Sequence, residues 1–84
     1  MQLLGIEDVG GEPTILIRSA ENIPLTFDIY NEIGERVQSF SFDGENGVNE
    51  RIPIPASVLT NGLYFISIRS EANELAGGRF IVGR

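Results

Sequence analysis

The chain has 84 residues, which is enough for one small domain that hides roughly 60% of the surface of its unfolded chain. Its net charge is −6 and its six cations, all arginine, are scattered, so its average field repels nucleic acids and anionic lipids. Cysteine and histidine are absent, which excludes disulfides, thiolate or imidazole metal sites and the usual proton carrier near neutral pH. We also expect no membrane insertion, because the longest apolar runs are far shorter than a membrane span.

Short segments of alternating apolar and polar residues run along the chain, separated by clusters of Gly, Asn, Pro and Asp. Alternation with a period of two is the pattern of half-buried strands rather than of helices. The sequence therefore predicts an all-β fold, a small Ig-like antiparallel β-sandwich of about seven strands that forms a single domain over residues 1–84. The predicted strands lie near 3–7, 14–19, 25–31, 35–42, 48–54, 62–69 and 78–83.

The third predicted strand has two distinct faces. Leu25, Phe27 and Ile29 fall on one face, which is suited to a core, whereas Asp28 and Tyr30 fall on the other, which is suited to solvent. The same inward alternation recurs in four further segments, at residues 15 and 17, 52 and 54, 64, 66 and 68, and 80 and 82. Each of these segments is expected to contribute one side to a common core.

The next segment, N-E-I-G at 31–34, is predicted to be a tight hairpin turn in which Gly34 adopts a positive φ. In the strand that follows, Val37 has the opposite parity to Phe40 and Phe42, so a β-bulge is needed to reconcile the three. Polar connections are predicted at 43–47 and 71–78.

Pro53 and Pro55 remove two backbone donors, so the strand at 48–54 either lies at the edge of a sheet or ends there. Residues 56–59 are expected to form a single helical turn before Asn61-Gly62 reverses the chain. The strand that begins at Gly62 is apolar on both faces, which predicts a central position in the sandwich.

Twelve carboxylates prompt a search for catalytic or metal-binding pairs, but most lie in predicted loops and indicate a solvated surface. D-G-E-N-G-V-N-E at 43–50 has oxygen-bearing side chains at alternating positions, as a calcium loop does, but glycine and Ile54 stand where an EF-hand needs ligands. A polar loop is favoured there, and a weak calcium site stays open. Serine and threonine lack a neighbouring histidine base, and no glycine-rich phosphate loop followed by lysine is present. We therefore expect no enzyme activity and no cofactor.

Carbohydrate-binding sandwiches usually present a row of exposed aromatic rings, among which tryptophan is the most effective. This chain has no tryptophan, and Tyr30 is the one aromatic residue assigned to an outward face. A single ring rarely makes a platform, so packing in the core or at its rim is favoured for Tyr30 and Tyr64.

Three segments together resemble the C-terminal sorting domain of the type IX (Por) secretion system of Bacteroidetes-type bacteria. They are F-D-I-Y-N-E-I-G-E-R-V at 27–37, I-P-I-P-A-S-V-L-T-N-G-L-Y-F-I-S-I at 52–68 and G-G-R-F-I-V-G-R at 77–84. The resemblance covers most of the chain from about residue 14 onward, and its structural motif residues are Tyr30, Gly34, Gly62 and Tyr64.

The resemblance implies a non-catalytic module that is read by the secretion translocon and shuttle proteins at the outer membrane. It also implies a covalently fused upstream cargo, so that the chain is a fragment from the C-terminus of a larger secreted protein. The cargo would pass through the periplasm and reach the cell surface or the medium, where a transpeptidase-like enzyme attaches it to a surface polysaccharide in some members. The residues expected to meet the translocon are Gly78, Arg79, Phe80, Ile81, Val82 and Arg84.

Two other functions fit an Ig-like sandwich: a structural or adhesive spacer, and a carbohydrate-binding accessory module of a secreted hydrolase. We also expect that two copies can pair through an exposed edge strand to form a homodimer. No lysine is present to disfavour such pairing, although Pro53 and Pro55 disfavour it at one edge.

Overall fold

The computed structural model describes residues 1–9, 12–19, 22–45, 47–55, 59–71 and 73–83. Its described residues form seven strands and no helix, which confirms the predicted all-β class. The strands are β1 (Gln2–Val9), β2 (Glu12–Arg18), β3 (Ile23–Tyr30), β4 (Arg36–Gly44), β5 (Asn49–Pro53), β6 (Gly62–Ser70) and β7 (Asn73–Val82). The predicted turn at 56–59 falls mostly on residues outside the described ranges.

The strands form two antiparallel sheets that pack face to face. One has three strands in the order β1-β2-β5, and the other has four in the order β4-β3-β6-β7. Strand β6 lies between β3 and β7, as its apolar residues on both faces predicted. Strand β5 lies at an edge, where Pro53 and its missing backbone donor are tolerated.

The core lies between the two sheets and is built from the inward side of each strand. Phe27 and Phe40, on neighbouring strands, have ring centroids 5.0 Å apart, and Tyr64 stacks on Phe80 at 5.7 Å. The buried apolar residues are Ile15, Ile17, Leu25, Phe27, Ile29, Ile52, Ile54, Leu59, Tyr64, Ile66, Ile68, Phe80 and Val82. Every inward position predicted from alternation belongs to this set.

Tyr64 ties the start of β6 to the chain before it. Its ring is 5% exposed, and its hydroxyl donates a hydrogen bond to the Thr60 carbonyl oxygen at 2.7 Å. A buried tyrosine that bonds the backbone a few residues upstream is a hallmark of Ig-like sandwiches, because the hydroxyl needs a partner when the ring is buried.

The β3–β4 hairpin has the predicted glycine turn and bulge. Gly34 has a φ of +86° and donates to the Asn31 carbonyl oxygen at 3.1 Å, while the Asn31 side chain accepts from the backbone N–H of Glu35 at 2.9 Å. Ile29 pairs with Gln38 and Tyr30 pairs with Arg36, so the residue between the two partners is the bulged one. That residue, Val37, remains exposed, so the bulge re-aligns the strand without burying it.

The predicted connection at 71–78 is wrong, because β7 begins at Asn73 and pairs with β6 from its first residue. Likewise, β4 continues to Gly44, inside the predicted loop at 43–47. In both places polar residues and glycines continue a ladder because the neighbouring strand supplies the backbone partners, which outweighs weak local β propensity.

The connection between β6 and β7 has two residues, because Ser70 pairs with Asn73. Such short hairpin connections favour positive φ, and Glu71 has a φ of +54°. Most side chains are disfavoured there, by about 1–2 kcal/mol, whereas glycine, which lacks a Cβ, and asparagine, whose short polar side chain can hydrogen-bond the local backbone, tolerate the conformation.

Glu71→Asn is therefore expected to raise the free energy of unfolding by about 0.5–1 kcal/mol, since asparagine relieves part of this cost. The measurement is a urea titration of the purified domain. Glu71→Ala is the matched control, because it removes the same carboxylate but lacks the side-chain amide that lets asparagine tolerate positive φ. Equal stabilities of the two variants would show that strain at this position does not matter.

Candidate recognition surface

Strand β7 carries the residues expected to meet the translocon, and its alternation divides them into two sets. Phe80 and Val82 face the core and are buried, whereas Arg79 and Ile81 face outward, with Ile81 72% exposed. Arg84 lies outside the described residues. Among the described candidates, the outward set is the one accessible to a partner on the folded domain.

Gly78 belongs to the inward set and allows β7 to approach the other sheet. A Cβ at this position would lie 3.0 Å from Cδ1 of Ile6 and 3.6 Å from Cδ2 of Leu3, both on β1. The first of these contacts is tight and the second is ordinary, so a methyl group at this corner of the sandwich would need the end of the Ile6 side chain to shift by a few tenths of an ångström. Gly62, a motif residue, opens β6 and pairs with Val82.

The outer face of the four-stranded sheet carries a row of four residues, one from each strand. Tyr30 pairs with Arg36 on one side and with Phe65 on the other, and Phe65 pairs with Arg79. Two aromatic residues thus occupy neighbouring positions in this row, with an arginine at either end. The outward face therefore has a second ring, Phe65, beside the single one assigned to it from the sequence, and the pairing of β3 with β6 brings the two together.

Leu63 and Ile81 form the next outward pair along β6 and β7. Phe65 is 41% exposed, Tyr30 and Leu63 are half-buried, and Ile81 is the most exposed member. We refer to Tyr30, Leu63, Phe65 and Ile81 as the outer patch. These four residues come from three different strands, and it is the register of β3, β6 and β7 that makes them neighbours.

Asp28 lies on the same outer face but is only 2% exposed, so the predicted solvent-facing role is wrong. Its carboxylate accepts a hydrogen bond from Nε of Arg69 at 2.7 Å and another from Oγ of Ser39 at 2.8 Å. A guanidinium nitrogen of Arg36 lies 3.8 Å away. These side chains shield the carboxylate and connect three adjacent strands of the sheet.

The surroundings of Asp28 favour its charged form. Burial by itself raises the pKa of the carboxyl group, but the hydrogen bonds from Arg69 and Ser39, with the charges of Arg69 and Arg36, outweigh it. The pKa of Asp28 therefore lies below its ordinary value of 3.8. Its hydrogen bond and charge in turn raise the pKa of Arg69, which stays protonated.

We also searched the described part of the chain for a metal site, a catalytic groove and a membrane-spanning helix. No group of three or more acidic side chains there is arranged to hold a metal ion, and this includes the described members of the loop at 43–50. A groove between the β3–β4 hairpin and residues 60–64 has a volume of about 220 Å³. Its lining includes a single carboxylate, that of Glu32. Within the described ranges, no helix is long and apolar enough to cross a bilayer.

The chain matches the family model described as "Secretion system C-terminal sorting domain" over residues 12–82. No curated protein and no solved structure matches the chain. The matched region includes β2 to β7, that is the whole four-stranded sheet with the outer patch and the Asp28 network, and two of the three strands of the other sheet. The chain belongs to the family of C-terminal sorting domains of the type IX (Por) secretion system.

Proposed function

We propose that this domain is a non-catalytic address label that directs a fused upstream cargo through the type IX system. The observation that carries the proposal is the family match over residues 12–82. In this proposal the cargo crosses the periplasm and then the outer membrane, and it ends at the cell surface or in the medium. Recognition of this kind requires a stable folded shape with accessible groups and needs no reacting side chain.

The translocon and its shuttle proteins are proposed to read the outward side of β7, that is Arg79 and Ile81. The inward residues Gly78, Phe80 and Val82 act indirectly, because they hold β7 in place against the core. Removal of the cargo from the domain and its attachment to a surface polysaccharide form the last part of the proposal.

The test is a secreted reporter carrying residues 1–84 at its C-terminus, expressed in a bacterium that has the type IX system. We expect the reporter in the medium or on the cell surface, and in the periplasm when the translocon is deleted. The same reporter without residues 1–84 is the control. Export that does not need the domain, or that continues without the translocon, would refute the proposal.

Deletion of residues 77–84 is not a suitable variant for this assay. It would remove the Phe80 ring that stacks on Tyr64 as well as the exposed groups of β7, so unfolding and lost recognition would give the same result. Single substitutions on the outward side of β7 separate the two effects.

A further inference from the structure

We propose that the outer patch, with Arg36 and Arg79 at its two sides, is a docking surface for a protein. The proposal rests on the proposed sorting function and names the surface and the partner chemistry that serve it. The partner presents apolar side chains with a carboxylate on either side. The two carboxylates lie roughly 14 Å apart, because three interstrand spacings of about 4.8 Å separate β4 from β7.

The composition of the surface supports a protein partner. Tyrosine, phenylalanine and arginine are enriched at the centres of protein interfaces, whereas lysine is depleted there. Leu63 and Ile81 extend the two rings with branched aliphatic groups, which fill pockets in a partner rather than stack on flat sugar rings. The exposed apolar area is also contiguous across β3, β6 and β7, unlike a singly exposed side chain.

The charges at the two sides of the patch select an acidic partner. Arg79 is exposed and makes no ion pair or side-chain hydrogen bond with another described residue. Arg36 is 58% exposed and lies 3.8 Å from Asp28, beyond hydrogen-bonding distance. Both guanidinium groups therefore keep donors for carboxylates of a partner, although the chain as a whole has a net charge of −6.

A second copy of this chain is a poor occupant of the same surface. The row reads arginine, tyrosine, phenylalanine, arginine from edge to edge, so it has a cation at both ends. Face-to-face alignment of two such rows, in either direction, places arginine over arginine. Like charges in contact disfavour this pairing.

The surface is also held in shape before a partner arrives. Its aromatic pair lies on β3 and β6, the two central strands of the sheet, rather than on loops. Asp28, two residues before Tyr30 on β3, accepts hydrogen bonds from Ser39 on β4 and from Arg69 on β6. These bonds connect the three strands close to the row. A preformed surface loses little conformational freedom on binding.

The deciding experiment measures binding of the purified 84-residue domain to detergent-opened outer-membrane fragments from a bacterium with the type IX system. We expect Ile81→Thr and Arg79→Glu each to weaken binding about tenfold or more. Threonine keeps β propensity at an exposed position, and circular dichroism with thermal midpoints verifies that each variant folds. The matched controls are on the other sheet, at exposed sites. Leu4→Thr replaces an aliphatic side chain by threonine, as Ile81→Thr does, and Arg18→Glu makes the same charge reversal as Arg79→Glu.

Loss of binding in the patch variants, with the controls bound normally, supports the docking surface. Equal binding of folded patch variants and the unmodified domain overturns it, as does a failure of the unmodified domain to bind. Binding that survives protease treatment of the fragments and is displaced by soluble surface polysaccharide identifies a glycan instead and overturns the protein partner. If binding depends on the patch but the reporter of the preceding section is not exported, the docking surface stands and the sorting function fails.

Discussion

Replacing Tyr64 with alanine is expected to lower the free energy of unfolding by about 3–5 kcal/mol, as is typical when a large buried aromatic side chain is removed. Its ring is 5% exposed and stacks on Phe80 between the two sheets, so truncation leaves a cavity that the surrounding strands cannot fill. Small domains have about 5 kcal/mol or somewhat more in total, so most of the stability would be lost. The measurement is the urea midpoint of the isolated domain.

Tyr64→Phe is the matched control, because it keeps the ring and removes only the hydroxyl that donates to the Thr60 carbonyl oxygen. A single hydrogen bond of this kind contributes about 0.5–1.5 kcal/mol, so this variant should lose far less than the alanine variant. An unchanged urea midpoint for Tyr64→Ala would contradict the assignment of this side chain to the core.

Asp28→Asn is expected to cost about 1–2 kcal/mol of stability at neutral pH, because it removes the charge from hydrogen bonds with Arg69 and Ser39. The cost stays in the lower part of the range for charged groups, since the Arg69 side chain is 37% exposed and water screens the pair. The pKa of Asp28 is lowered in the folded state, so the unfolded chain binds its proton at a higher pH.

The sign of the pH dependence follows because the pKa of Asp28 is lower in the folded state than in the unfolded chain. The contribution of the Asp28 charge is fully present above the ordinary pKa of 3.8 and is lost as the pH falls through the lower pKa of the folded state. The difference in stability between the unmodified domain and Asp28→Asn should therefore be constant near neutral pH and shrink in acid. Urea titrations of both proteins at several pH values measure this difference, which cancels the other carboxylates.

Glu7→Gln provides the control for the Asp28 prediction, since it makes the same chemical change in another ion pair. Glu7 accepts from Arg51 at 2.8 Å, but both side chains are largely exposed, at 45% and 67%. Exposed pairs of this kind contribute little, so we expect a change within about 0.5 kcal/mol. A larger loss for Glu7→Gln than for Asp28→Asn would show that burial does not decide the contribution of these pairs.

Much of the fold was predictable from alternation alone. Leu25, Phe27 and Ile29 identify both a strand and its buried side, because a sheet with one wet face permits only one orientation of each strand. The start of β7 was not predictable in this way. Residues 73–77 read as a turn by composition, and their strand conformation depends on the partner strand β6, which local sequence does not show.

The candidate site was less predictable than the fold. Alternation assigned Tyr30 to an outward face, whereas Phe65 lies on a strand that is apolar on both faces and received no outward side. Their adjacency depends on the register between β3 and β6, in which residues 35 apart in the sequence pair. The same holds for Asp28 and Arg69, which are separated by 41 residues. A period-two pattern specifies faces, whereas neighbours across strands are set by packing of the whole sandwich.

Strand β7 is the last strand in chain order, and this decides when the domain can form. Ribosomes make the strands in chain order, so Phe80 and Val82 emerge after every other part of the core. Until then Tyr64 lacks the ring on which it stacks, and the row across the outer face lacks its second arginine. A polypeptide interrupted before Phe80 would therefore lack both the last buried side chains of the core and the complete row across the outer face.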